Sequence, residues 1–240
     1  MEFEFNHKDT LEKFSLKIKD DINLLEANLS NEYFYNSITL CIIDAVFSIG
    51  VRYTSVQNTV KKYCDYYDVK IFRDRNNSLF PYHENQESIR TLINRIEDLS
   101  IQKFTESVFK NKQKTSTKSG ILKTEAVLLF AKSLEKNGVT NYTDINKIFT
   151  SKKIEEDIKL IPGQKSGISF KYFLMLISNE NYIKPDRMII RYFENLVNTK
   201  LSESQIIFIV KEVCKLLKKD FENISPRLLD HEIWKYQRSL

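Results

Sequence analysis

Apolar residues recur at helical spacing along most of the chain. The clearest stretch is Ile206, Ile209, Val210, Val213, Cys214 and Leu217. Three further sets share this spacing: Leu11, Phe14, Ile18, Ile22, Leu25 and Leu29; Ile89, Leu92, Ile93 and Ile96; and Val127, Phe130, Ala131 and Leu134. A stripe with a period of about 3.6 residues is the face that a helix buries. Strand-like alternation is nearly absent, so the pattern predicts an all-α protein of roughly ten helices.

Polar or glycine-containing stretches separate these periodic segments. They fall at Gly50, at 74–82, at 111–120, at 137–141 and at Ser225-Pro226. The stretch 111–119, NKQKTSTKS, carries three lysines, among them Lys112 and Lys114. Its composition predicts an exposed loop. A solvated loop and a loop that contacts phosphate are both compatible with it.

The composition narrows the class of protein. Hydrophobic residues make up 42% and charged residues 29%, which is typical of a globular chain. No apolar run reaches the length of a membrane span, and the first residues lack the order of a signal peptide, so we expect no membrane contact. The three cysteines are widely separated, which predicts no disulfide framework and a cytoplasmic location. His7, His83 and His231 are scattered, so no metal site is expected.

Two of the five glycines and two of the four prolines lie between Pro162 and Pro185. A charged helix is predicted to end near Leu160, and the turn IPGQKSG leads into a strongly apolar helix from Ile168. Glycine lets a backbone turn tightly and approach a ligand closely. The unpaired N–H groups at the start of the second helix can hold a phosphate. An ordinary corner between two helices is the alternative that the residues leave open.

Asp186 lies in KPDR, immediately before a further apolar helix predicted from Met188 to Leu196. Proline in the first turn and an acid beside it are typical of a helix start. Taken alone, the residue is therefore a helix-start acid. The net charge of +5 is compatible with a polyanionic partner but does not require one.

Three segments of the chain resemble the helix-hairpin-helix DNA glycosylase superfamily, the endonuclease III-like fold. In chain order they are LCIIDAVFSIGVRYTSVQNTVKKYC, SGILKTEAVLLFAKSLEKNG, and IPGQKSGISFKYFLML followed by KPDRMI. They occur in the family's order and cover roughly residues 31 to 197. The resemblance implies a two-lobed helical bundle with a helix-hairpin-helix motif. Residues 31–180 would form one lobe, and residues 1–30 with 181–240 the other.

The resemblance also implies roles for named residues. The carboxylate of Asp186 would stabilise positive charge at the anomeric carbon of a nucleotide whose base has left the stack. DNA would be held by the turn and by two loop lysines: Gly163, Gln164, Lys165, Ser166, Gly167, Lys112 and Lys114. The base pocket would include Gly50, Arg52 and Tyr53. Arg52 can donate to a base edge or a phosphate and Tyr53 can stack on a base, while a solvated arginine and a core tyrosine are the alternatives.

One departure from the family concerns the reaction type. Relatives that also cleave the strand have a lysine at the position matching Gly167, where it attacks the sugar as an amine. The resemblance therefore implies a glycosylase without strong lyase activity. Lys165, two positions before Gly167, and Lys171, one helical turn after it, are the alternative nucleophiles if a Schiff base does form. The C-terminus lacks the four-cysteine iron–sulfur pattern of some relatives, so no cofactor is expected.

These arguments favour a monomeric DNA glycosylase that removes a damaged or modified base, in repair or in defence against modified foreign DNA. A helix-hairpin-helix protein that binds DNA without chemistry is the main alternative, and an unrelated all-α interaction protein is the third.

Two other candidate site residues carry less weight. Asp44, in an apolar helix, is expected at a solvent edge or beside a local donor, and His231 is expected in a docked terminal helix.

Overall fold

A computed structural model describes residues 8–74, 85–117, 119–177, 181, 183 and 185–240 of the chain. The all-α prediction is confirmed, because these residues form twelve α-helices, short 3-10 and π-helical turns, and no strand. The helices are α1 (Lys8–Asp21), α2 (Ile38–Phe47), α3 (Tyr53–Tyr67), α4 (Ile89–Leu99), α5 (Ile101–Phe104), α6 (Lys123–Lys136), α7 (Ile145–Thr150), α8 (Lys152–Lys159), α9 (Ile168–Ile177), α10 (Arg187–Val197), α11 (Glu203–Leu217) and α12 (Pro226–Ser239).

The predicted apolar stripes form the core. Every residue named in the stripes of α4, α6 and α11 is buried. Strong caps mark several helix starts, since Ser88, Ser202 and Ser225 each accept a hydrogen bond from a backbone N–H of the first turn. At α4 and α11, the spacing of apolar residues and the capping serine therefore agree on where the helix lies.

The N-terminal stripe is shorter than its spacing suggests. Phe14, Ile18 and Ile22 are buried, but α1 ends at Asp21 and Leu25 is 84% exposed. Two consecutive acids, Asp20 and Asp21, close the helix, and negative charge there is unfavourable to the helix dipole. The prediction that Leu25 continues the buried face is therefore wrong.

The chain divides into two compact units, which we name by their position in the sequence. The central unit comprises described residues between 31 and 178, and the terminal unit comprises those within 1–30 and 179–240. In the central unit, all ten residues of α2 are buried, and this helix packs against α3, α6 and α9. Because α2 is the core helix, the loops at its ends have a fixed support.

The terminal unit has a separate core. Helix α1 packs against α11, and α12 packs against both α10 and α11. Their apolar side chains, among them Phe14, Phe193, Ile209 and Ile233, form one buried cluster. Asp186 lies in this unit, at the start of α10.

Candidate functional site

The turn between α8 and α9 depends on two glycines. Gly163 has φ +85° and Gly167 has φ +71°, a left-handed region that side chains disfavour. The N–H of Gln164 donates to the carbonyl of Ile161 at 2.8 Å, and the N–H of Gly167 donates to the carbonyl of Gln164 at 2.9 Å. The glycines and these two bonds produce the tight turn that the sequence predicted between α8 and α9.

The side chains of the turn face in different directions. Gln164 is only 2% exposed, and its Oε1 accepts a hydrogen bond from Ser169. Lys165 and Ser166 are exposed. Leu160, just before the turn, is 81% exposed although it is apolar. The surface that the turn presents to a partner therefore includes the polar side chains of Lys165 and Ser166 and the apolar side chains of Leu160 and Pro162.

At Gly167 the backbone is covered by a neighbour. An added Cβ would lie 2.7 Å from Cε of Lys159. Because φ is also positive, a lysine at this position would be strained and would displace Lys159. The glycine therefore has a structural reason of its own.

The lysine-bearing loop packs directly against this turn. An added Cβ at Gly163 would lie 2.5 Å from Oγ1 of Thr115, so backbone and loop are in close contact there. The loop is closed by the N–H of Thr115, which donates to the carbonyl of Ile121 at 2.9 Å. Lys112 and Lys114 are exposed, as predicted for the loop. The structure thus brings together two segments that the sequence places 48 positions apart.

A buried lysine connects the same loop to the end of α2. Lys123 is 1% exposed, and its Nζ donates to the carbonyls of Phe47 and Ile49, each at 2.8 Å. Its third contact is Gln113 Oε1 at 3.4 Å. Burial lowers the pKa of Lys123 to about 8. Sequence reasoning missed this residue, because nothing in its neighbours distinguishes it from a surface lysine at a helix start.

The segment predicted as a base pocket, 50–53, follows directly after the two carbonyls of Phe47 and Ile49 that Lys123 binds. Gly50 is exposed with φ +72°, and Arg52 is exposed at the N-cap of α3. Tyr53 is half-buried, and its hydroxyl donates to Asp44 Oδ2 at 3.0 Å. The hydroxyl is thus held from inside the unit, which fixes the ring at the start of α3.

Asp44 is the most enclosed carboxylate of the central unit's described residues. It is 0% exposed and accepts hydrogen bonds from Tyr35 at 2.7 Å, Ser48 at 2.7 Å and Tyr53. Burial raises its pKa to about 6, although the bonds from Ser48 and Tyr35 oppose the shift. Asp44 does not lie at a solvent edge, so that expectation is wrong. The alternative, that Asp44 lies beside local donors, is confirmed by these hydrogen bonds.

Asp186 caps helix α10. Its Oδ1 accepts from the N–H of Met188 at 2.8 Å and from that of Ile189 at 3.2 Å. The side chain is half-buried. The predicted helix start is therefore confirmed, and both cap bonds go to the same carboxylate oxygen.

Lys171 and the histidines are the remaining candidates. Lys171 is half-buried within α9. His231 is buried in α12, stacks on Trp234 and lies 3.2 Å from Ser30 Oγ, and burial lowers its pKa to about 4. The prediction that α12 docks through this region is confirmed. His7 and His83 lie outside the described residues.

The described residues contain neither a cluster of metal ligands nor a helix suited to a membrane. No three histidine, cysteine, aspartate or glutamate side chains lie together as metal ligands within the described part of the chain. Among the helices described above, none combines the length and the hydropathy needed to cross a bilayer.

Comparison with known proteins gives one match. No curated protein and no solved structure is significantly similar to the chain. A family model matches residues 13–238, which include the turn, the lysine-bearing loop and Asp186. The chain therefore belongs to the family described as Domain of unknown function (DUF8548).

Proposed function

We propose that this chain is a DNA N-glycosylase that binds DNA through the central unit and uses Asp186 as its catalytic carboxylate. The DNA-binding surface consists of the turn 160–167 and the loop 111–117. We propose further that it acts as a cytoplasmic monomer without a cofactor.

The observation that carries DNA binding is the packing of Thr115 on Gly163. It joins the exposed Lys165 and Ser166 of the turn to the exposed Lys112 and Lys114 of the loop. Lysines attract the phosphates of DNA whatever its sequence. Backbone N–H groups of a turn can donate to phosphate oxygens. Those of Gln164 and Gly167 are already used within this turn, so Gly167 does not serve as expected and the backbone donors proposed for phosphate are those of Gly163 and Lys165. The exposed Leu160 adds an apolar contact for sugar or base edges. This set of groups suits binding to the DNA backbone without reading its sequence.

Support for the chemistry comes from the resemblance and from the way Asp186 is held. Two backbone N–H groups fix Oδ1, so the carboxylate does not have to reorganise when charge develops near it. The C1′–N bond breaks with its electrons leaving on the base, which takes up a proton. Water then bonds to C1′, and its proton passes to the carboxylate or to solvent. Damage or modification of the base makes its departure from the stack less costly.

A binding function without chemistry is the second candidate. It is favoured by the same contacts, because the cap of α10 accounts for Asp186 without any reaction. The two candidates share the DNA-binding surface and differ only in whether a base is released.

The test is incubation of the chain with duplexes that each carry one modified base, followed by cleavage of abasic sites with alkali. Strand cleavage after alkali supports the glycosylase. Salt-dependent binding of every duplex with no abasic site in any of them favours the binding function. A chain that binds none of the duplexes contradicts both.

Trapping with borohydride tests the reaction type. Because glycine occupies position 167, the glycosylase should release the base without a Schiff base, so borohydride should trap little covalent complex. Strong trapping that disappears in Lys165→Gln or Lys171→Gln would identify that lysine as the nucleophile instead.

A further inference from the structure

A cleft in the central unit is lined by four basic side chains, of which the loop 111–117 supplies one and the turn 160–167 none. The basic residues are Arg52, Lys62, Lys110 and Lys112. Neutral amide and hydroxyl groups, including Asn58 and Asn111, complete the walls, and none of the described lining residues is acidic. The cleft encloses about 460 Å³ and opens to solvent.

Two segments that are distant in the sequence form the cleft. One wall is Arg52 and helix α3 as far as Lys62, and the other is the segment 110–112 that follows a π-helical turn. Nδ2 of Asn111 donates to Oγ1 of Thr59 at 2.9 Å, and Nζ of Lys62 lies 3.5 Å from the carbonyl oxygen of Lys110. These contacts fix one wall against the other, so the cleft does not depend on a ligand to form.

Among the described residues, acidic side chains neutralise the charges of the cleft only in part. Lys112 pairs with Glu106 at 2.9 Å, but Glu106 does not line the cleft and both side chains are largely exposed. Four cations around one concave space repel one another, and a bound anion relieves that repulsion. Guanidinium and ammonium groups together with amide donors match the several acceptor oxygens of a phosphate.

We propose that this cleft binds a phosphate group. The inference rests on the proposed function, in which the phosphate belongs to the DNA backbone. The footprint of DNA then extends from the turn 160–167 along the loop to α3, and Arg52 contacts phosphate rather than a base edge.

The test compares two double variants of equal charge change. The cleft variant is Lys62→Gln with Lys110→Gln. The control is Lys61→Gln with Lys132→Gln, which removes two lysines that pair with Asp65 and Glu97 instead of lining the cleft. Thermal unfolding of both proteins checks that each retains its fold.

DNA affinity is measured by fluorescence anisotropy over a series of salt concentrations. Loss of one phosphate contact should reduce the slope of log affinity against log salt by about one. At about 0.15 M salt that slope corresponds to a loss of affinity of about five-fold. The control variant should keep the wild-type slope.

A second measurement replaces DNA by inorganic phosphate. Backbone amide resonances of Arg52, Asn58 and Asn111 should shift in the wild type, relative to sodium chloride at equal ionic strength, and should not shift in the cleft variant. This arm tests the anion site without any nucleic acid.

The outcomes separate the two proposals. If the wild type binds DNA and the cleft variant keeps its slope, the cleft proposal is overturned and the proposed function stands. If the wild type does not bind DNA, the proposed function fails. In that case, phosphate-induced shifts of the lining amides support the anion site, and their absence overturns it.

Discussion

Two carboxylates of this chain, Asp44 and Asp186, lie in opposite surroundings. Asp186 is half-buried and accepts two hydrogen bonds from the first turn of its own helix. Asp44 is fully buried and accepts three hydroxyl bonds from side chains outside its helix. A strongly raised pKa is often taken as a sign of a functional group. Here burial, which raises the pKa of Asp44, also keeps substrate away from it, so the raised pKa is no reason to make Asp44 the catalytic carboxylate.

The same contrast separates the lysines of the central unit. Lys165, Lys112 and Lys114 are exposed on the proposed DNA-binding surface, whereas Lys123 is buried beneath it and holds two backbone carbonyls. The exposed charges are available to a partner. The buried ones, Asp44 and Lys123, fix the segment that joins α2 to α3.

The largest expected effect on stability is at Gly163, which packs against Thr115, and it is compared with Gly50, which has open space around it. Gly163→Ala should destabilise the fold by about 3 kcal/mol, because a positive φ adds to overlap with Thr115. Gly50 also has a positive φ, +72°, but no atom lies within 4 Å of an added Cβ. Gly50→Ala should therefore destabilise the fold by only about 1 kcal/mol. Chemical denaturation of both variants measures the difference. Equal losses would contradict the packing of the loop against the turn.

Lys123→Met should cost about 2 kcal/mol, because the carbonyls of Phe47 and Ile49 lose their donor. The folded pKa of about 8 lies below the ordinary 10.5, so the unfolded state binds more protons between these values. Wild-type stability should therefore rise with pH from about 8 to 10.5, and this rise should be absent in the variant. Lys132→Met, at an exposed ion pair, is the control and should change stability by less than about 0.5 kcal/mol.

The smallest expected effect concerns Asp44. Its folded pKa of about 6 exceeds the ordinary 3.8, so the folded state binds more protons between these values. Relative to Asp44→Asn, wild-type stability should fall by roughly 1–2 kcal/mol as pH rises from about 4 to 6. Denaturation at several pH values measures this difference. A difference independent of pH would show that Asp44 does not titrate in this range.

Sequence reasoning located the elements whose signals are local. The stripe from Ile206 to Leu217 and the helix start at Asp186 depend on residues within one or two turns, and both are found. Hydropathy did not locate the end of α1, because Leu25 fits the spacing but lies beyond the last helical turn.

The supporting contacts could not be predicted in this way. Thr115 precedes α6 and Gly163 precedes α9, and both helices pack on α2, so this contact belongs to the tertiary arrangement and not to either segment alone. Lys123 is buried only because the end of α2 lies beside it. Neither contact leaves a pattern in the neighbouring residues, and the same is true of the basic cleft between α3 and the segment 110–112.

The central claim is that Asp186 stabilises charge during base release. Asp186→Asn is a sharp test, because asparagine caps helices as well as aspartate does and should preserve the start of α10. DNA affinity should be unchanged or slightly higher, since a carboxylate repels phosphates. Asp65→Asn, which changes an exposed acid of α3 in the same way, serves as the control.

The decisive measurement is single-turnover base release by wild type, Asp186→Asn and Asp65→Asn on a duplex that the wild type processes. We predict a rate about 10²-fold lower or more for Asp186→Asn, as expected when a preorganised charge is lost. The control should match the wild type. Equal rates for Asp186→Asn and the wild type would remove Asp186 from the mechanism and leave it as the cap of α10.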